Sequence, residues 1–193
     1  LIDALNFTKQ HCSNNSRKCI INLSLGFDTI LPLIDTMLED IYNNNDAIIV
    51  VSSGNSNINS CDRSPSHLDF TITVGSINYF DLKSAFSNYG KCTDIYTYGE
   101  LVPGANKESG VTFMSGTSMS APIVTGIVAN LWSKNSNLNN NQLKQLFYDT
   151  YIMKRNDLNI LYTNENEFNV LWMFLPVSFS FFFFSFLKCL LCK

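Results

Sequence analysis

Residues 114–134 read MSGTSMSAPIVTGIVANLWSK. This stretch is long, apolar and studded with small side chains, and it predicts a buried helix entered through a tight turn at Gly116. The chain around it supplies the cover such a helix needs. IINLSLG (20–26), AIIVVSSGN (47–55) and FTITVGSI (70–77) are short runs of branched apolar residues ending in polar or small ones. They predict buried strands, and DIYTYG (94–99) is a candidate fourth. LIDALNFTKQ (1–10) suits a short amphipathic helix, PLIDTMLEDIYNNN (32–45) a helix with Pro32 in its first turn, and NNNQLKQLFYDT (139–150) another. Strands alternating with helices predict an α/β fold with a mostly parallel sheet. Function in such folds collects at the C-terminal ends of the strands.

The 193 residues are enough for one domain with a sizeable core. With 46% hydrophobic residues, a net charge of −3 and a pI near 5.3, the chain is globular and carries no basic patch. Nucleic acid is therefore excluded as a partner. The C-terminus differs in kind from the rest, with eight of the 15 phenylalanines between Phe168 and Phe186. Residues 170–187, VLWMFLPVSFSFFFFSFL, run 18 residues without a charge, the lower bound for a membrane span. Pro176 and several serines interrupt them. Two readings stand for residues 170–193: a membrane anchor or a non-native terminus. The first residues show neither an initiator Met nor a basic region followed by an apolar run, and we read them as the interior of a longer protein.

Ser118 is the residue that points to chemistry. At a helix start, free backbone N–H groups and the helix dipole face whatever binds there and favour developing negative charge. A serine in that place is most often a helix cap, and only its context argues for more. That context is four ordered segments: INLSLG (21–26), VVSSGNSN (50–57), SAFSNYGKCTDIYTYG (84–99) and GTSMSAPIVTG (116–126). Together they resemble the subtilisin-like serine proteases, and within them the proteinase K-like branch.

The resemblance covers residues 1–150 and implies the C-terminal part of a catalytic domain spanning 1–169. The implied fold is the three-layer subtilisin-like one with its N-terminal portion missing. Ser118 matches the nucleophile and Asn55 the side-chain donor of the oxyanion hole. Ser24, Leu25 and Gly26 match the strand that pairs with substrate backbone, and Ser52, Ser53 and Gly54 the facing wall of the specificity pocket. Recognition through main-chain bonds implies a fairly broad endopeptidase acting on polypeptides. Two departures stand out: Ile123 follows Pro122 where the family has histidine, and Tyr96-Thr97-Tyr98-Gly99 replaces a proline-containing loop.

A serine nucleophile needs a base, and the base an orienting carboxylate. Of the two histidines, neither His11 nor His67 lies in a motif like the family's, and no matching aspartate precedes residue 20. Both histidines read as solvated loop or surface residues. We expect the two remaining triad members upstream of Leu1, and this chain alone to be inactive. The alternative is a non-catalytic relative serving as a binding module.

The resemblance also implies a Cys61–Cys92 bridge and a structural calcium site at Asp94, with the backbone carbonyls of Asp69 and Thr71. No cofactor is implied for catalysis. Cys12 and Cys19 pair with each other, or Cys19 pairs outside this sequence. Disulfides suit a secreted or a vacuolar or lysosomal protein, membrane-anchored if the tail spans a bilayer. A monomer is expected.

Overall fold

The computed structural model describes residues 1–14, 18–106, 110–163 and 187–189. The chain runs α1 (Ile2–Asn14), β1 (Cys19–Leu23), α2 (Pro32–Asn45), β2 (Ala47–Ser52), β3 (Ile72–Ile77) and β4 (Ile95–Tyr98). There follow β5 (Val102–Ala105), β6 (Val111–Met114), α3 (Thr117–Lys134), α4 (Asn140–Tyr151), β7 (Ile152–Arg155), β8 (Leu158–Leu161) and β9 (Leu187–Cys189). The main sheet has the order β7-β8-β4-β3-β2-β1-β9. The pairs β1–β2, β2–β3, β3–β4 and β4–β8 are parallel, whereas β7 and β9 join antiparallel. β5 and β6 form a separate hairpin.

Strands buried on both faces need cover on both, and the side-chain alternation shows how it is divided. Ile20, Ile48, Val50, Ile72, Val74 and Ile95 face a core built with Val124, Val128 and Trp132 of α3 and Leu143 and Phe147 of α4. The intervening Ile21, Leu23, Ile49 and Val51 face Leu5 of α1 and Ile34, Leu38 and Ile41 of α2. Helices, sheet and helices make three layers, as expected from the sequence. Phe147 and Leu38 have no exposed surface, and truncating a side chain of that kind to alanine costs about 2–5 kcal/mol.

Two disulfides lie within the described residues, Cys12–Cys19 and Cys61–Cys92. The first ties the end of α1 to the start of β1. The second closes a 31-residue separation around the loop that follows β2, a closure that contributes about 3–4 kcal/mol in the chain-entropy model. No helix among the described residues is long and apolar enough to cross a membrane. The tail reading of 170–193 falls outside the described residues, apart from the backbone of β9.

Candidate active site

The sheet delivers two loops to one place. β1 ends at Leu23 and β2 at Ser52, so Ser24–Gly26 and Ser53–Asn55 emerge side by side from adjacent parallel strands. α3 begins against them. A cleft of about 240 Å3 is lined by Ser24, Leu25, Gly26, Ser52, Ser53, Gly54, Asn55 and Ser118, with Arg63, Ser66 and Asn88 also on its wall. All eight catalytic and substrate-binding positions singled out in the sequence thus meet in one cavity. A larger groove of about 460 Å3 lies elsewhere, among Leu1, Ile2, Phe27, Leu31 and Leu33. It offers no nucleophile, so its size says nothing about chemistry.

Backbone chemistry explains the start of α3. Gly116 has φ 153° and ψ 159°, a conformation that side chains other than hydrogen rarely adopt. Its N–H donates to Gly99 O at 2.7 Å. A Cβ on Gly99 would sit 2.3 Å from Ser120 Oγ and 2.9 Å from Gly116 O, so a glycine there is required by close approach. Pro122 lies inside the helix and has no N–H to give to the carbonyl four residues back. That carbonyl belongs to Ser118, and Ser24 Oγ donates to it instead at 3.0 Å. Asn22 Nδ2 in turn donates to Ser24 Oγ at 3.0 Å. The proline therefore leaves the start of α3 linked to the chain just after β1.

Asn55 is oriented by its carbonyl end. Its Oδ1 accepts from Thr117 N–H at 2.8 Å and from Thr117 Oγ1 at 2.9 Å. The oxygen is occupied twice, and the amide Nδ2 makes no hydrogen bond among the described residues. Its loop is held from behind by buried Asn88, whose Oδ1 accepts from the N–H groups of Ser56 and Ile58 and whose Nδ2 donates to Ser53 O. Gly54, at φ 102°, leaves the space Asn88 needs: a Cβ there would meet Asn88 Nδ2 at 2.4 Å. Thr117 and Asn88 are positioning residues that reading the sequence did not single out, although both lie in segments that carried the resemblance. Ser118 Oγ donates to Ser24 O at 3.3 Å, a long and weak bond.

Neither histidine lines this cleft. His67 is not the solvated residue expected: its Nδ1 lies 3.0 Å from Arg63 O and its Nε2 3.5 Å from Asp35 Oδ2. Asp35 Oδ2 also accepts from buried Ser64 Oγ at 2.9 Å. The hydroxyl faces the carboxylate and not the imidazole, so this trio holds the loop to α2 and is no nucleophile–base pair. His11 lies in the last turn of α1. Ile123, one of the departures from the family pattern, is half-buried, and its helix is unbroken.

The residues tied to calcium lie just before β3 and β4. Asp94 accepts from Thr73 N–H at 2.7 Å. Burial pushes its carboxyl up to about 6, against the opposing pull of that N–H and of the Lys144 charge. The carbonyls of Asp69 and Thr71 converge as the resemblance implies, but on Lys144 Nζ, at 2.7 and 2.8 Å. As arranged, these residues do not fit a divalent ion, because an ammonium already takes both carbonyls. Among the described residues no group of three or more His, Cys, Asp or Glu side chains could hold a metal.

A serine at a helix start, an asparagine amide beside it and the strand end Ser24–Gly26 in one cleft together define a site built like that of a serine peptidase. The chain belongs to the subtilase family, whose pattern matches residues 3–170. It is 32% identical over 134 residues to alkaline serine exoprotease A of Vibrio alginolyticus, covering 69% of this chain and 25% of that protein. It is 35% identical over 141 residues to the subtilase-type proteinase RRT12 of Saccharomyces cerevisiae, covering 69% and 28%. A cold-adapted subtilisin-like serine proteinase of known crystal structure superposes with a TM-score of 0.75 at 28% identity, over 83% of this chain and 60% of that one. The chain thus spans about a quarter of the length of these curated relatives.

Proposed function

We propose that this chain carries the nucleophile and oxyanion-stabilising half of a serine endopeptidase, with the base and its carboxylate supplied by sequence upstream of Leu1. The observation that carries the reading is the meeting in one cleft of Ser118 and Asn55, whose amide makes no hydrogen bond among the described residues. A substrate strand lies along Ser24–Gly26. Ser118 Oγ attacks the carbonyl carbon while its proton passes to the base. The oxygen, now negative, accepts from the Ser118 N–H and from Asn55 Nδ2. Collapse expels the amine, which takes the proton from the base. Water then cleaves the acyl ester by the same steps in reverse. The two disulfides suit secretion or a vacuolar lumen, and a relative from Thermus is named an extracellular serine proteinase.

A fluorophosphonate probe tests this reading, because it labels only an activated serine. The full-length protein is expected to be labelled at Ser118, and the 193-residue chain alone not. Without a base the chain keeps only the residual rate due to binding and oxyanion stabilisation. Labelling of the chain alone would show that a base exists within it. Failure to label the full-length protein would favour a non-catalytic binding module.

A further inference from the structure

Arg63 and Ser53 give the cleft a chemical preference. Both line it together with Ser118. Arg63 is half-buried and its backbone is pinned: its carbonyl accepts from His67 N–H at 3.0 Å and its N–H donates to Ser60 O at 3.3 Å. Its side chain makes no hydrogen bond or ion pair among the described residues, and its Nε is buried without an acceptor. Ser53 Oγ is likewise buried without a partner among the described residues. The other charge among the described residues lining the cleft is Asp28, which is exposed. Two unpaired donors, one of them cationic, call for a group rich in acceptors. A carboxylate offers about four lone-pair sites and matches the guanidinium fork in two parallel bonds. We infer that the cleft selects a peptide with a glutamate or aspartate side chain next to the bond presented to Ser118.

This inference rests on the reading of the cleft as a peptide site. Labelled tetrapeptide amides differing only in the last residue (Glu, Gln, Leu or Lys) test it by fluorescence anisotropy on the full chain. The Glu peptide is expected to bind about 10- to 100-fold more tightly than the Lys peptide, with the margin shrinking in high salt. Arg63→Glu is expected to reverse the order. Equal binding of all four, or an unchanged order in Arg63→Glu, overturns the acidic preference and leaves the peptide site standing. No binding by any peptide overturns the peptide site itself, and the preference with it. If Arg63→Glu loses its circular dichroism, the order and salt dependence of the wild-type chain still decide.

Lys144 carries a second and independent inference. Its ammonium donates to Asp69 O and Thr71 O and stands 5.8 Å from the centre of the Tyr148 ring; burial pulls its pKa down, against the attraction of the carboxylates of Asp94 and Asp69. The ammonium thus joins α4 to the segment entering β3, where the resemblance implies a calcium ion. We infer that Lys144 replaces calcium in this chain, which is therefore stable without it. Thermal melts of the full chain are expected to give one midpoint in EDTA and in millimolar calcium chloride. Lys144→Met, which keeps the stem and loses the charge, is expected to melt several degrees lower. A wild-type midpoint that rises with calcium overturns the inference, since a ligand stabilises only the state that binds it. So does a Lys144→Met variant as stable as the wild type.

Discussion

Ser118→Ala in the full-length protein is expected to lower kcat for peptide hydrolysis by about a millionfold while leaving KM nearly unchanged. That scale was measured on subtilisin, a relative in the family, and does not come from this cleft. What the cleft does supply is the reason for the split between kcat and KM. On the proposed reading, substrate binds along Ser24–Gly26 and the wall at Ser52–Gly54, whose residues alanine at 118 leaves in place. The fold should also survive. The hydroxyl's bond to Ser24 O is long, at 3.3 Å, and the link between helix and strand runs through Ser24 Oγ to the Ser118 carbonyl, which the substitution keeps. An unchanged melting curve alongside the lost activity is the expected pair of results. Retained activity would mean that another residue is the nucleophile.

Asn55 is expected to show the second largest effect, about 100- to 1,000-fold in kcat on replacement by alanine, the scale known for such a donor in this family. On the proposed reading the amide engages an oxygen that is negative only in the transition state, so KM should move little. Alanine removes more than the donor, however. It also strips the acceptor from Thr117 N–H and Oγ1, and Thr117 is fully buried. An orphaned buried donor costs about 1–3 kcal/mol, so Asn55→Ala should lose stability as well as rate. Asn55→Asp separates the two effects. It keeps an oxygen for Thr117 but turns a negative charge toward the developing oxyanion. The aspartate variant is expected to melt close to the wild type and to be at least as slow as the alanine variant. An active Asn55→Asp variant would remove Asn55 from the oxyanion site.

The main sheet and its helices were legible because their residues state their surroundings. AIIVVS (47–52) is apolar at nearly every position, and β2 is buried throughout. The turn at Gly116 was legible because only glycine suits it. Short exposed hairpins were not. β5 contains Pro103 and Gly104, and three of the four residues of β6 are exposed, so neither strand has an alternation to read. β7 and β8 did leave a sign, in the Asn156-Asp157 pair, both at positive φ and both residues that favour such turns.

In the site, Ser118 and Asn55 were visible through their motifs. The groups that orient them were visible only as neighbours in those motifs, because the bonds of Thr117 and Asn88 span 62 and 32 residues of sequence. Lys144 was invisible. A lysine in a helix reads as a solvated charge, and only the fold brings it to carbonyls more than 70 residues away. Arg63 was hidden in the same way, in a loop whose role emerges only when β1 and β2 lie side by side.

A double-mutant cycle on the full-length protein, with kcat/KM measured for the wild type, Ser118→Ala, Asn55→Ala and the double variant, tests most directly whether residues 118 and 55 act on one oxygen. Groups that act as a unit lose their separate effects once one is gone. Removal of Asn55 is therefore expected to cost 100- to 1,000-fold when Ser118 is present and a clearly smaller factor, taken from the residual oxyanion-stabilised rate, when it is absent. Equal losses in both backgrounds would show that the two residues serve different events, and would contradict the account.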